Sequence, residues 1–99
     1  MSNVSIALEK AADLIEEYGW IQKSYKNSNG FCAMGAILHV CEYHPRLRWA
    51  VQDALSMALS GSPIRSSVTV WNDSLGNTRE NVIITLRLVA RKMRDAEDV

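Results

Sequence analysis

The sequence predicts an all-α fold, a compact single-domain bundle of four to five helices around a central apolar helix. Three observations lead there. Apolar residues recur at helical spacing in residues 4–18, 47–58 and 82–93. Residues 31–41 are apolar nearly all round, the pattern of a helix buried on every side. Helix-ending and helix-starting residues separate these segments: Gly19, Asn29-Gly30, His44-Pro45, Ser60-Gly61-Ser62-Pro63 and Thr78.

The first helix is expected over about residues 4–18. Val4, Ala7, Leu8, Ala11, Ala12, Leu14, Ile15 and Tyr18 share one side, and Glu9, Lys10, Asp13, Glu16 and Glu17 the other. Gly19 is placed to end it in the left-handed conformation, with Trp20 folding back on the last turn. Residues 21–29 read as a polar loop, and Asn27-Ser28-Asn29-Gly30 as a loop and helix-start signal. The central helix then covers residues 31–41, where Ala33, Gly35 and Ala36 let neighbours approach closely. Pro45 suits the first position of a third helix that ends near residue 59. Its inner stripe is Leu47, Val51, Ala54, Leu55 and Ala58. Residues 64–72 are ambiguous. Val68-Thr69-Val70-Trp71 has strand-like residues but no second strand to pair with, so an extended piece or a short helical turn is expected. Thr78 caps a last helix that runs to about residue 94. A full capping box needs Glu or Gln at position 81, where Asn81 stands. Residues 94–99 are expected to fray as an acidic tail.

Ninety-nine residues, 47% apolar and 22% charged, suffice for one core without staples. The net charge of +0 gives no bulk attraction to nucleic acid or to a membrane. The charges are unevenly placed, however. Glu9, Asp13, Glu16 and Glu17 make the first helix acidic, while Arg79, Arg87, Arg91, Lys92 and Arg94 make the last one basic. Opposite signs suit two terminal helices that lie side by side. Cys32 and Cys41 are too far apart on one helix for a disulfide, about 13 Å of rise. The N-terminal segment is amphipathic, unlike a secretory signal, and no apolar run approaches the ~20 residues that span a bilayer. A cytoplasmic protein with reduced thiols and no membrane partner is expected.

Few side chains suggest chemistry. Cys32 stands near a helix start, where the dipole lowers a thiol's pKa, and His39 and His44 are the nearest bases in sequence. His39 is about 10 Å farther along the axis, outside hydrogen-bond reach, so a small buried apolar residue is the simpler reading of Cys32. Cys32, His39, Cys41 and His44 lack paired metal-ligand spacing, so no metal and no cofactor are expected. Arg87, Arg91, Lys92 and Arg94 offer phosphate contacts, although the long loop before Thr78 does not suit a helix-turn-helix. Apolar residues on the wrong face are more informative. Val82, Ile83, Leu86, Val89, Ala90 and Met93 form the inner stripe of the last helix, while Ile84 and Leu88 lie on its far side beside Arg87 and Arg91. Trp49 projects opposite Leu47 and Val51. Trp49, Ile84, Arg87, Leu88 and Arg91 are therefore the candidate contacts to a protein partner, another protein or a second copy of this chain. Cover by residues 60–72 is the alternative.

Trp71-Asn72-Asp73, followed by Thr78 and Arg79, is the most distinctive stretch. Trp71 offers a large apolar surface with an N–H that needs a partner. Asn72 and Asp73 can bond nearby backbone groups and fix the loop entering the last helix. A polar pocket built from Asn72, Asp73 and Arg79 is the functional alternative. An acidic-faced helix ending in Gly19-Trp20, then Cys32-Ala33, Gly35-Ala36-Ile37, Trp71-Asn72-Asp73 and a Thr78-capped helix resembles a family of small uncharacterised proteins of actinobacteria and their phages. Ala11, Ala12, Leu14, Ile15, Val82 and Leu86 also match. Met34 stands where Leu is more usual, and Asn81 where an acid is. The resemblance implies an intracellular, phage-encoded protein and brings no known substrate or catalytic residue. Three functions follow, in order of preference: a non-enzymatic accessory protein that binds a host or self protein, a nucleic-acid-binding regulator using the basic end of the last helix, and a Cys32-dependent enzyme.

Overall fold

The amphipathic N-terminal segment forms α1 (Asn3–Tyr18), which buries Ala7, Leu8, Ala11, Ala12 and Ile15. The structure is a computed structural model that describes residues 3–61 and 66–97. Gly19 ends α1 with φ 107°, and its N–H donates to the Ile15 carbonyl at 2.9 Å. The chain then turns back on itself, because the Phe31 N–H donates to the Gly19 carbonyl at 3.0 Å and the Ile21 N–H to the Phe31 carbonyl at 3.1 Å. A Cβ on Gly19 or Gly30 would meet the other strand's backbone, and both residues have positive φ. Only glycine meets both conditions.

Residues 26–31 correct the sequence reading. Asn27-Ser28-Asn29-Gly30 does not start a helix. It forms the turn of a small antiparallel hairpin, β1 (Lys26–Asn27) with β2 (Gly30–Phe31). The helix expected over residues 31–41 is the shorter α2 (Ala33–Val40), with Cys32 and Cys41 as its caps. Burial of α2 is complete through Ile37 and then lapses, leaving His39 exposed. α2 packs against α1, α3 and α4, while α1 packs against α2, α3 and α5, so the two share the centre of the bundle.

α3 (Pro45–Ser60) starts at Pro45 and ends at Gly61, which adopts the left-handed conformation. Its buried residues are Val51, Gln52, Leu55 and Ser56. Ala58, placed on the inner stripe by sequence, is exposed. The helix is rotated because its Ser56–Ser60 edge meets α4: Ser60 Oγ donates to the Ser56 carbonyl at 2.8 Å and lies 3.4 Å from Ser67 Oγ. α4 (Ser66–Asn72) is the ambiguous segment, and it is helical. Val68 fills the core while Val70 faces out. Residues 64–65 of the ambiguous stretch lie outside the described residues.

α5 (Arg79–Glu97) is capped as expected, with Thr78 Oγ1 accepting from the Asn81 N–H at 3.1 Å. Asn77 completes the cap in place of an acid: its Oδ1 accepts from the Thr78 N–H at 2.9 Å and from Asn81 Nδ2 at 2.7 Å. The helix continues to Glu97, beyond the end expected near residue 94, and residues 98–99 of the expected acidic tail lie outside the described residues. Val82, Ile83, Leu86, Val89 and Ala90 are buried against the bundle.

α1 and α5 pack antiparallel, and their opposite charges meet. Arg87 binds Glu9 at 2.7 Å, Asp13 at 3.0 Å and Glu16 at 3.2 Å. Partial burial alone would lower the guanidinium pKa, but hydrogen bonds to Asp13, Glu16 and Glu9 outweigh it and hold the pKa raised. The acids are largely solvated, so this web stabilises by only about 1 kcal/mol. Arg79 Nη2 donates to the Glu16 carbonyl at 2.7 Å, closing the last turn of α1. None of the described helices is long and apolar enough to cross a membrane.

Gly35 explains how tightly this fold is closed. A Cβ there would overlap the Tyr25 carbonyl, which also accepts from the Cys32 N–H at 3.1 Å. Gly35→Ala is expected to destabilise by about 3 kcal/mol, since backbone rather than a flexible side chain must move. Urea unfolding checks this, and a midpoint equal to wild type would show that the loop over α2 yields freely.

Candidate functional site

Asn72 lies fully buried at the end of α4. Its Oδ1 accepts from Trp20 Nε1 at 2.7 Å and from the Ala33 N–H at 2.9 Å. Its Nδ2 donates to the Ile21 carbonyl and to Asp73 Oδ1, each at 3.0 Å. An amide has two donors and two acceptor lone pairs, and here all are used. Gln22 Nε2 adds bonds to the carbonyls of Asn72 at 3.1 Å and Ser74 at 3.2 Å. Asp73 Oδ1 accepts from the Lys23 N–H at 2.9 Å, which holds Lys23 at φ 67°. A non-glycine residue there is strained by roughly 1 kcal/mol.

This corrects two expectations. Asn72 and Asp73 do not chiefly fix the loop entering α5. They join α4 to the loop after α1 and to the first turn of α2. Nor do Asn72, Asp73 and Arg79 make a pocket: Arg79 sits on the last turn of α1, and the Asn72 amide faces inward with its capacity filled. The segment after Trp71 is tied instead by Asn77 Nδ2, which donates to the Trp71 carbonyl at 2.9 Å. Trp71 itself is half-buried against the core.

Beside this hub an open cleft of about 630 Å³ is lined by Lys23, Ser24, Tyr25, Lys26, Cys32, Thr69 and Asp73. Cys32 supplies part of its floor. The Cys32 thiol is buried, and its Sγ accepts from the Gly35 N–H at 3.2 Å. Burial raises its pKa and the negative charge of Asp73 adds to this, against the lowering effect of the Gly35 and Met34 N–H groups. The helix start therefore does not activate this thiol, contrary to what its position suggested. Burial likewise raises the Cys41 thiol, and the charge of Arg48 only partly opposes it. His39 stacks edge-on against Phe31, with ring centres 5.4 Å apart. Among the described residues no hydrogen bond joins Cys32 to either histidine, and no cluster of His, Cys, Asp and Glu converges as a metal site would.

The residues singled out as partner contacts separate into different settings. Ile84 is 56% exposed and Leu88 53%, one turn apart on α5, and Arg91 is exposed on the same face. Arg87 is held in the acidic web on α1 and is not free to lead a contact. Trp49 is half-buried, with the Arg48 guanidinium 5.0 Å over its ring. It lines a shallow cleft with Tyr25, Met34, Leu38, Gln52 and Thr69 that contains no residue of α5. Trp49 is thus not part of the Ile84–Leu88 surface. Sequence reasoning missed Gln22 and Lys23, whose roles depend on partners 50 positions away. It also missed Leu75, fully exposed in the turn before α5, and the exposed Tyr43.

Fold and site define a small helical protein organised around a buried asparagine. A family model matches residues 1–92, and the chain belongs to that family, DUF6197, a family of unknown function. No curated protein and no solved structure matches the chain.

Two outcomes test the site's chemistry. Asn72→Ala leaves the Trp20, Ala33 and Ile21 groups unpaired and is expected to cost about 3 kcal/mol in urea unfolding, whereas Trp20→Phe, which removes one donor, costs about 1 kcal/mol. Iodoacetamide should label Cys32 and Cys41 slowly near neutral pH and rapidly once guanidinium unfolds the chain. Because both thiols titrate above their ordinary range, native labelling should rise only as pH climbs well past it. Fast native labelling at neutral pH would revive a reactive-thiol reading.

Proposed function

We propose that the protein acts without catalysis, by binding another protein through the outer face of α5. The observation that carries this is the exposed Ile84–Leu88 pair, continued by Arg91, on a helix whose opposite face is buried. Aliphatic side chains that would leave water on association, flanked by arginine, suit an interface. The neutral, capped Cys32 thiol and the filled hydrogen-bonding capacity of Asn72 favour this reading over an enzyme. The same proposal includes a cytoplasmic setting, in which buried thiols stay reduced. The resemblance to actinobacterial and phage proteins favours a phage-encoded accessory role.

Leu88→Glu combined with Arg91→Glu tests the surface. Both residues are exposed, so the urea midpoint should stay within about 0.5 kcal/mol of wild type. Recovery of a protein partner in a tagged pull-down from nuclease-treated lysate should be lost. Undiminished recovery by the folded double variant would remove the α5 face from consideration.

A further inference from the structure

We infer that the partner at this face is a second copy of the chain, its α5 packed antiparallel against the first across a twofold axis. This rests on the reading of α5 as the binding face. At 100° per residue, Arg91, Ile84, Asp95 and Leu88 fall within a roughly 60° arc opposite the buried stripe. An axis level with Leu86 sets Ile84 of each copy against Leu88 of the other, so two aliphatic pairs close on themselves. A twofold contact of this kind needs a self-complementary surface and forms a closed dimer instead of a chain of copies.

The charges select the antiparallel sense. Glu80 and Arg91 lie on the same side of the arc, the side toward α1. In an antiparallel pair, edges on the same side face one another, and the same axis brings Glu80 within about one residue of the second copy's Arg91. The pairing occurs twice. Glu80 has a largely exposed side chain, 71% accessible and 3.6 Å from Arg79, and it lies at the end of α5 where α1 adds the exposed Glu17 and Glu16, the latter bound to Arg87. Arg91 and Lys92 are exposed at the other end. One copy's Glu80 therefore meets the other's Arg91. A parallel pair in register would set opposite edges together and bring Arg91 beside the second copy's Lys92. Lys92 lies on the opposite edge, where an antiparallel copy offers Asn81 and Thr85. The aliphatic patch is small, so association in the micromolar range is expected, at the low end for specific interfaces.

Sedimentation equilibrium over about 1 μM to 1 mM, the span in which a micromolar dimer dissociates, reads the proposal directly. The wild-type chain should pass from monomer to dimer, and Leu88→Glu should remain monomeric. Glu80→Arg and Arg91→Glu should each weaken the dimer about tenfold. Together, E80R and R91E should restore it, because the pair is exchanged. Circular dichroism confirms that each variant is folded. A wild-type monomer throughout overturns self-pairing, while the α5 face is still judged by whether Leu88→Glu/Arg91→Glu loses a different protein. A dimer that survives Leu88→Glu counts against both readings. A dimer lost with Leu88→Glu but not restored by the exchange overturns the antiparallel register.

Discussion

The buried amide of Asn72 is the constraint on which the rest of the arrangement depends. The chain from Gln22 to Asn29 is exposed throughout and has little apolar surface with which to hold itself down. The contacts at its two ends, at Trp20 and Ile21 on one side and at Ala33 on the other, converge on Asn72, and between them Lys23 is bound to Asp73 and the Tyr25 carbonyl to the Cys32 N–H. Away from water, each of these groups costs free energy if its partner is missing, so the hub is close to all-or-none. The loop ends reach Asn72 together because the Gly19 and Gly30 backbones lie in direct contact. α4 is fixed by the same bonds, and the turn after it passes that placement to α5 through Ser74 and Asn77, both bonded to the Trp71 carbonyl.

Much of the helical framework was legible in the sequence, because periodicity and capping are local properties. α1, α3 and α5 fall close to where spacing placed them, and Thr78 caps as its type suggests. The rest was set by distant partners. Phe31 reads as the start of a helix, yet its backbone is taken by Gly19 and Ile21, and the helix waits until Asn72 receives the Ala33 N–H. The β-branched run at Val68–Val70 favours a strand by propensity, but packing of Val68 and Trp71, three residues apart, against the core decides for a helix. Gln52 and Ser56 look like outer residues of α3 and are buried, because α4 lies on that edge.

Legibility of the candidate site divides in the same way. The Ile84–Leu88 pair follows from a helical wheel alone, and the structure leaves both exposed. Arg87 shares the neighbourhood in sequence, but its acids come from α1, more than 70 positions away. The opposite charges of the two terminal helices pointed to that pairing without saying which arginine would take it. Trp49 lies off the stripe that spacing places inside, yet it is half-buried in a cleft with Gln52 that residues of α2 and α4 also line, which a wheel does not show.

These constraints give α5 a character that its composition conceals. One face is locked by Val82, Leu86, Val89 and Ala90, one flank is held by Arg87, and the first turn is capped by Thr78 and Asn77. A helix held on one face, one flank and one end presents its outer face already ordered, so less conformational entropy is lost when something docks there. The net charge of the chain is +0, and long-range attraction is therefore weak. Pairing Arg87 internally leaves Glu80, 71% accessible and 3.6 Å from Arg79, exposed near one end of the helix and Arg91 and Lys92 exposed near the other. A neutral protein with a polar edge gains orientation from its charges more than bulk attraction, and orientation is what a small aliphatic patch most lacks.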